Sequence, residues 1–109
     1  LRGDQNLSIR IDIASRRVWI ANREKKLTPT QFDIMRLLQD KRGDVCTREE
    51  ILDEIFNIPS PLTKSSISMI NTHIGRLRDT IEPNPRRPIF IKTVRGKGYR
   101  LDLEKYFNA

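Results

Sequence analysis

Residues 65–103 read SSISMINTHIGRLRDTIEPNPRRPIFIKTVRGKGYRLDL, and this stretch decides the architecture. Ile67, Ile70, Ile74, Leu77 and Ile81 recur at alternating spacings of three and four, which predicts an amphipathic helix from about Ser65 or Ser66 to Ile81. Pro83-Asn84-Pro85 ends it. Two strand-like runs follow, Ile89–Val94 and Tyr99–Leu103, separated by Arg95-Gly96-Lys97-Gly98. A glycine-rich turn between such runs predicts a β-hairpin.

Working outward, Thr47-Arg48-Glu49-Glu50 is a capping box. The apolar stripe Ile51, Leu52, Ile55 and Phe56 then marks a short second helix. Asn57–Thr63 holds Pro59 and Pro61 and reads as a seven-residue loop. Further back, Thr28-Pro29-Thr30-Gln31 starts a first helix, with Pro29 at the first helical position. Its apolar face is Phe32, Ile34, Met35, Leu37 and Leu38, and Gly43 suits a left-handed end after Lys41-Arg42. Leu7–Ile13 alternates apolar and polar residues as a half-buried strand does. Ser15-Arg16-Arg17 reads as a turn, Val18-Trp19-Ile20 as a strand, Asn22-Arg23-Glu24 as a turn, and Lys26-Leu27 as a brief further pairing. The order is strands, three helices and a hairpin, an α+β winged helix-turn-helix. One domain over residues 1–109 is expected, with its core at about 7–103. The start at Leu1 rather than a methionine suits a fragment of a longer protein.

The net charge of +7 is confined to one region. Lys64–Arg100 holds nine basic residues against Asp79 and Glu82, whereas the rest of the chain is balanced at 12 and 12. Such localisation is the footprint of a polyanion partner, although a charge run is more often only a solvated face. On the third helix Ser68, Thr72, Gly75, Arg76 and Asp79 lie opposite the isoleucines, with Asn71 and Arg78 on one flank and Met69 and His73 on the other. Short side chains let a helix approach base edges, where Arg can donate twice to guanine and Asn can pair with adenine. An ordinary amphipathic surface helix is the alternative. The hairpin turn is either a solvated turn that needs glycine, or a wing that lies on the phosphates and places Arg95 in a minor groove. Gly75, costly in a helix, suits close approach of a partner or simple tolerance.

Other classes are disfavoured. His73 and Cys46 are the only residues of their kinds, so no metal set of three or four ligands and no catalytic constellation is visible; no cofactor and no enzymatic activity are expected. The hairpin glycines lack the strand–loop–helix order of a nucleotide site. No run approaches a membrane span, and no signal peptide is present. Lone Cys46 reads as a small buried hydrophobe in a reducing, cytoplasmic setting. Glu49, Glu50, Asp53 and Glu54 on the second helix either solvate it or offer an acidic patch to a protein partner.

LTPTQFDIMRLL, TREEILDEIF, HIGRLRDTIE and IKTVRGKGYRL together resemble the C-terminal effector domain of OmpR/PhoB-type response regulators, from about Leu7 to Leu103. The resemblance implies a four-stranded N-terminal sheet, three helices and a hairpin wing. It implies double-stranded DNA as partner, with the helix at about 65–81 in the major groove and the wing at 89–103 in the minor groove. By motif position it places Arg76 as a base reader. Asn71, Thr72 and Ser68 stand beside Arg76 on the same face and are candidates for the same task. His73, Arg78, Thr93 and Tyr99, with Lys92 and Lys97, fall to the DNA backbone, and Arg95 falls to the minor groove. Asn57, Ile58, Ser60, Leu62 and Lys64 would form a loop facing RNA polymerase. A homodimer on tandem half-sites, driven by an N-terminal receiver or sensor domain of a two-component system, is also implied. Ser68, Ile70-Asn71-Thr72, Phe56 and Gly75 depart from the usual Arg, Val-Asp, Trp and basic residue of the family, which bears on the target sequence. A winged helix used for protein–protein contact is the rival reading.

Overall fold

The computed structural model describes residues 8–59 and 61–102; Leu7, Ser60 and Leu103 of the sequence expectations lie outside them. β1 (Ile9–Asp12), β2 (Arg17–Ile20) and β3 (Arg23–Lys25) form an antiparallel sheet in the order β1-β2-β3. Then come α1 (Pro29–Asp40), β4 (Cys46–Thr47), α2 (Arg48–Phe56), α3 (Lys64–Ile81), β5 (Ile91–Val94) and β6 (Gly98–Leu101). The second sheet has the order β4-β6-β5, so β6 is its central strand. This is the α+β winged helix that the sequence predicts.

Alternation places Ile9 and Ile11 opposite Ile20 and Val18 on the inner face of the first sheet, all buried. The inner stripe of α1 (Phe32, Ile34, Met35, Leu38) meets Ile51 and Leu52 of α2 and Ile70, Ile74 and Leu77 of α3, so the three helices share one core. Each such side chain taken out of water contributes on the order of 2 kcal/mol.

Helix starts follow the predicted chemistry. Thr28 accepts from the backbone N–H of Gln31, whose side chain accepts in return from Thr28; Thr47 and Glu50 do the same for α2. A third box was not anticipated: Thr63 and Ser66 cap α3 reciprocally and start it at Lys64. Serine at the third position is outside the usual Glu/Gln signature.

Five expectations are corrected. The N-terminal sheet has three strands among the described residues, not four. The turn placed at Asn22-Arg23-Glu24 is instead Ala21-Asn22, with φ of 53° and 66°, the primed geometry that suits a two-residue hairpin. Pairing therefore resumes at Arg23, and Lys26-Leu27 lies beyond it. At the end of α1 the left-handed step begins on Arg42 (φ 52°), one residue before Gly43 (φ 90°). The first strand stops at Asp12, whose carboxylate accepts from the N–H of Ala14 and Ser15 and leaves Ile13 exposed in the turn.

Candidate nucleic-acid interface

α3 is held to the wing by Asn71, Arg78 and its C-cap Glu82. Glu82 follows its last turn and is 6% exposed, yet its carboxylate is fully engaged. It accepts from the backbone N–H of Ile89 (2.8 Å), Phe90 (3.1 Å) and Ile91 (2.8 Å). Three donors at the entry to β5 are thereby satisfied without a strand partner. Half-buried Arg78 donates from Nε and Nη2 to the Ile91 carbonyl (3.2 and 2.7 Å) and from Nη2 to Thr93 Oγ1 (3.0 Å). Burial pulls its pKa below the ordinary arginine value, against the opposing pull of Tyr99 and Glu82. Tyr99, 4% exposed, donates its hydroxyl to Asn71 Oδ1 at 2.6 Å.

The wing turn needs both glycines for different reasons. Gly96 has φ of 75°. A Cβ on Gly98 would sit 2.0 Å from the Cys46 carbonyl oxygen, because β4 and β6 pass closely at Thr47↔Gly98. Gly75 is different: its missing Cβ faces open space on the exposed side of α3.

The predicted base readers Ser68, Asn71, Thr72 and Arg76 are all exposed on one face of α3. Thr72 donates its hydroxyl to the Ser68 carbonyl (2.9 Å), so that proton is used within the helix. The Arg76 guanidinium has no hydrogen bond or ion pair among the described residues. Lys64, Ile67, Ser68, Asn71 and Thr72 line a shallow concavity over the first half of the helix.

The backbone set separates. Arg95 and Lys97 are exposed at the wing tip, with Lys92 half-buried on β5. Lys92 pairs directly with Arg100 across the strands, a like-charge juxtaposition that costs stability unless an anion lies over it. His73 is half-buried, its ring 4.9 Å from that of Phe56. Arg78, Thr93 and Tyr99 are bonded within the protein as described, so their first role is to fix the wing against α3.

In the α2–α3 loop, Asn57 takes the left-handed cap of α2 (φ 56°) and Ile58 is 41% exposed. Leu62 packs on the core, and Lys64 begins α3 and turns toward the concavity. Arg48 was missed as a site residue: its guanidinium lies 5.4 Å from the Tyr99 ring centroid, and that of Arg78 lies 5.6 Å from it. Its partner is 51 positions away along the chain, beyond any local signal. Cys46 is fully buried, and burial pushes its thiol up to about 12, as expected of a structural cysteine.

An exposed helix of short polar residues, braced by a basic two-glycine hairpin, defines a winged helix with a cationic reading face. The family described as "Transcriptional regulatory protein, C terminal" matches residues 22–101, and the chain belongs to it, as an OmpR/PhoB-type response-regulator C-terminal domain. It is 38% identical over 80 residues to the alkaline phosphatase synthesis transcriptional regulatory protein PhoP of Bacillus subtilis, covering 73% of this chain and 32% of PhoP. The Klebsiella pneumoniae RstA DNA-binding domain, solved in complex with the RstA box, superposes with a TM-score of 0.72 at 28% identity, over 84% of this chain and 87% of that one. Response regulator DrrB of Thermotoga maritima, an OmpR/PhoB homolog, gives 0.72 at 32% identity, over 84% of this chain and 40% of DrrB. The chain spans about a third of the length of the curated relatives it matches.

Proposed function

We propose that this chain binds double-stranded DNA in a sequence-specific manner, as the output module of a bacterial transcriptional regulator of the two-component type. The observation that carries this is the common exposure of Ser68, Asn71, Thr72 and Arg76 on a helix braced by the cationic wing. α3 enters the major groove and the wing lies over the adjacent minor groove, led by Arg95. Arg76, exposed and unpaired among the described residues, reads a base edge; Lys92, Lys97 and His73 position the backbone. The bound DNA of the RstA structure supports this reading.

The proposal extends to partners. The protein works by binding rather than catalysis, in the cytoplasm, as a homodimer on tandem half-sites under a receiver or sensor domain. The low share of each relative's length supports the last point. No described helix is long and apolar enough to cross a membrane. The exposed Ile58 and the α2–α3 loop face RNA polymerase.

Titration against duplex DNA at two salt concentrations tests the central claim. Affinity should fall steeply with salt, and Arg76→Ala should cost about 1–3 kcal/mol on a preferred site. No binding at ~50 mM salt would instead support a winged helix that contacts protein.

A further inference from the structure

Resting on the DNA-binding reading above, we propose that Asn71 selects guanine over adenine in the major groove, with Tyr99 as its positioning residue. Asn71 stands exposed on α3 beside the shallow concavity that it lines with Lys64, Ile67, Ser68 and Thr72. Its amide has one favoured orientation. The Tyr99 hydroxyl donates to Oδ1 at 2.6 Å, and Tyr99 is 4% exposed, with the guanidiniums of Arg48 and Arg78 5.4 and 5.6 Å from its ring centroid. A buried ring cannot swing its hydroxyl elsewhere. Turning the amide over would let Nδ2–H2 donate to the hydroxyl oxygen, but it would exchange the 2.6 Å O–H···O bond for an N–H···O one and leave the hydroxyl proton without Oδ1 as acceptor.

The consequence is a polarised side chain. Asparagine recognises adenine through both amide atoms, Oδ1 accepting from N6–H and Nδ2 donating to N7. Here one lone pair of Oδ1 is taken by the Tyr99 hydroxyl, which turns the oxygen toward Tyr99 and leaves Nδ2–H2 as the amide group without a partner among the described residues. A donor group of this kind matches an edge made only of acceptors, and guanine offers O6 and N7. Thr72, the neighbour in the concavity, has its hydroxyl proton committed to the Ser68 carbonyl and does not supply a competing donor.

Selection of bound sequences from a randomised duplex pool, run with the wild-type chain, Asn71→Ala and Tyr99→Phe, tests the assignment. Asn71→Ala identifies the position, because preference is lost there and nowhere else. The wild-type chain should favour guanine over adenine at that position by about tenfold. Tyr99→Phe keeps the ring and frees Oδ1, and the ratio should fall to about twofold or invert toward adenine. A phosphate-contacting or merely structural tyrosine would weaken all sequences together and leave this ratio intact, which overturns the inference. So does an Asn71→Ala consensus identical to wild type, a result that requires nothing of the tyrosine variant. A wild-type chain that enriches no consensus at all overturns the DNA reading, and this inference with it.

Discussion

The carboxylate of Glu82 accepts the backbone N–H of Ile91 at 2.8 Å, with both residues buried, and this contact ties the end of α3 to the first strand of the wing. With the bonds from Ile89 and Phe90 it forms an anion cradle of main-chain donors inside the protein. Helix and wing are therefore one rigid unit rather than two elements joined by a loop. A reading helix and a wing that must meet adjacent grooves need such a fixed relation.

Removing that carboxylate leaves three N–H groups without their acceptor. Hydrogen bonds to a charged group contribute about 1.5–3 kcal/mol, and an orphaned buried donor costs about 1–3 kcal/mol. Glu82→Ala should therefore lower unfolding stability by about 2–4 kcal/mol, measured by urea denaturation. A loss within ~0.5 kcal/mol would show that water replaces the carboxylate without penalty.

Buried Gly98 and exposed Gly75 should respond in opposite directions to alanine. At Gly98 the new methyl meets the Cys46 carbonyl at 2.0 Å, and backbone on both sides must move. Overpacking of this kind costs about 1–3 kcal/mol or more. At Gly75 the methyl enters open space, so helix propensity alone decides. Gly75→Ala should stabilise by up to about 1 kcal/mol. Thermal melts of both variants check the pair, and equal shifts would contradict the geometry. If Gly75→Ala also weakens DNA binding, the glycine serves close approach of the duplex.

Much of this was legible from local chemistry. The boxes at Thr28/Gln31 and Thr47/Glu50, the isoleucine period of α3 and the Gly96/Gly98 hairpin all announce themselves within a few residues. β3 did not, because Arg23-Glu24-Lys25 has no apolar member and is defined only by its pairing to β2. Two-residue β4 likewise exists only because β6 passes it. Within the candidate site, exposure of the α3 face followed from helical period. The inward roles of Arg78, Glu82 and Tyr99 did not. Each depends on a partner brought near by the fold, 28 positions away for Tyr99 and Asn71.

The wing tip should act through charge alone. Lys97 is exposed beside Gly96 and has no base-reading geometry assigned to it. Lys97→Ala should weaken binding about equally on preferred and random duplexes and reduce the slope of log affinity against log salt by about 1. Fluorescence anisotropy across a salt series gives both numbers. A sequence-dependent loss would mean that Lys97 reads bases, and an unchanged slope that it meets no phosphate.

Acid should loosen the junction of α1 and α2. Lys41 Nζ pairs with Glu50 Oε2, and Glu50 Oε1 accepts from the Thr47 N–H at 2.9 Å. The Lys41 ammonium first, and the Thr47 N–H second, hold the Glu50 carboxyl below its ordinary value of 4.5. A group depressed in the folded state binds its proton more readily when unfolded. Its stabilising contribution is therefore fully present above pH 4.5 and is lost as pH falls through the lower folded value. Glu50→Gln keeps an acceptor for the helix cap but cannot titrate or pair with Lys41. Melting temperature measured from pH 7 down to about pH 3 should fall less steeply for this variant than for wild type, the two curves converging at the acid end. Parallel curves over the whole range would remove Glu50 from the acid response and assign it to the other depressed carboxyls, Asp12 and Glu24.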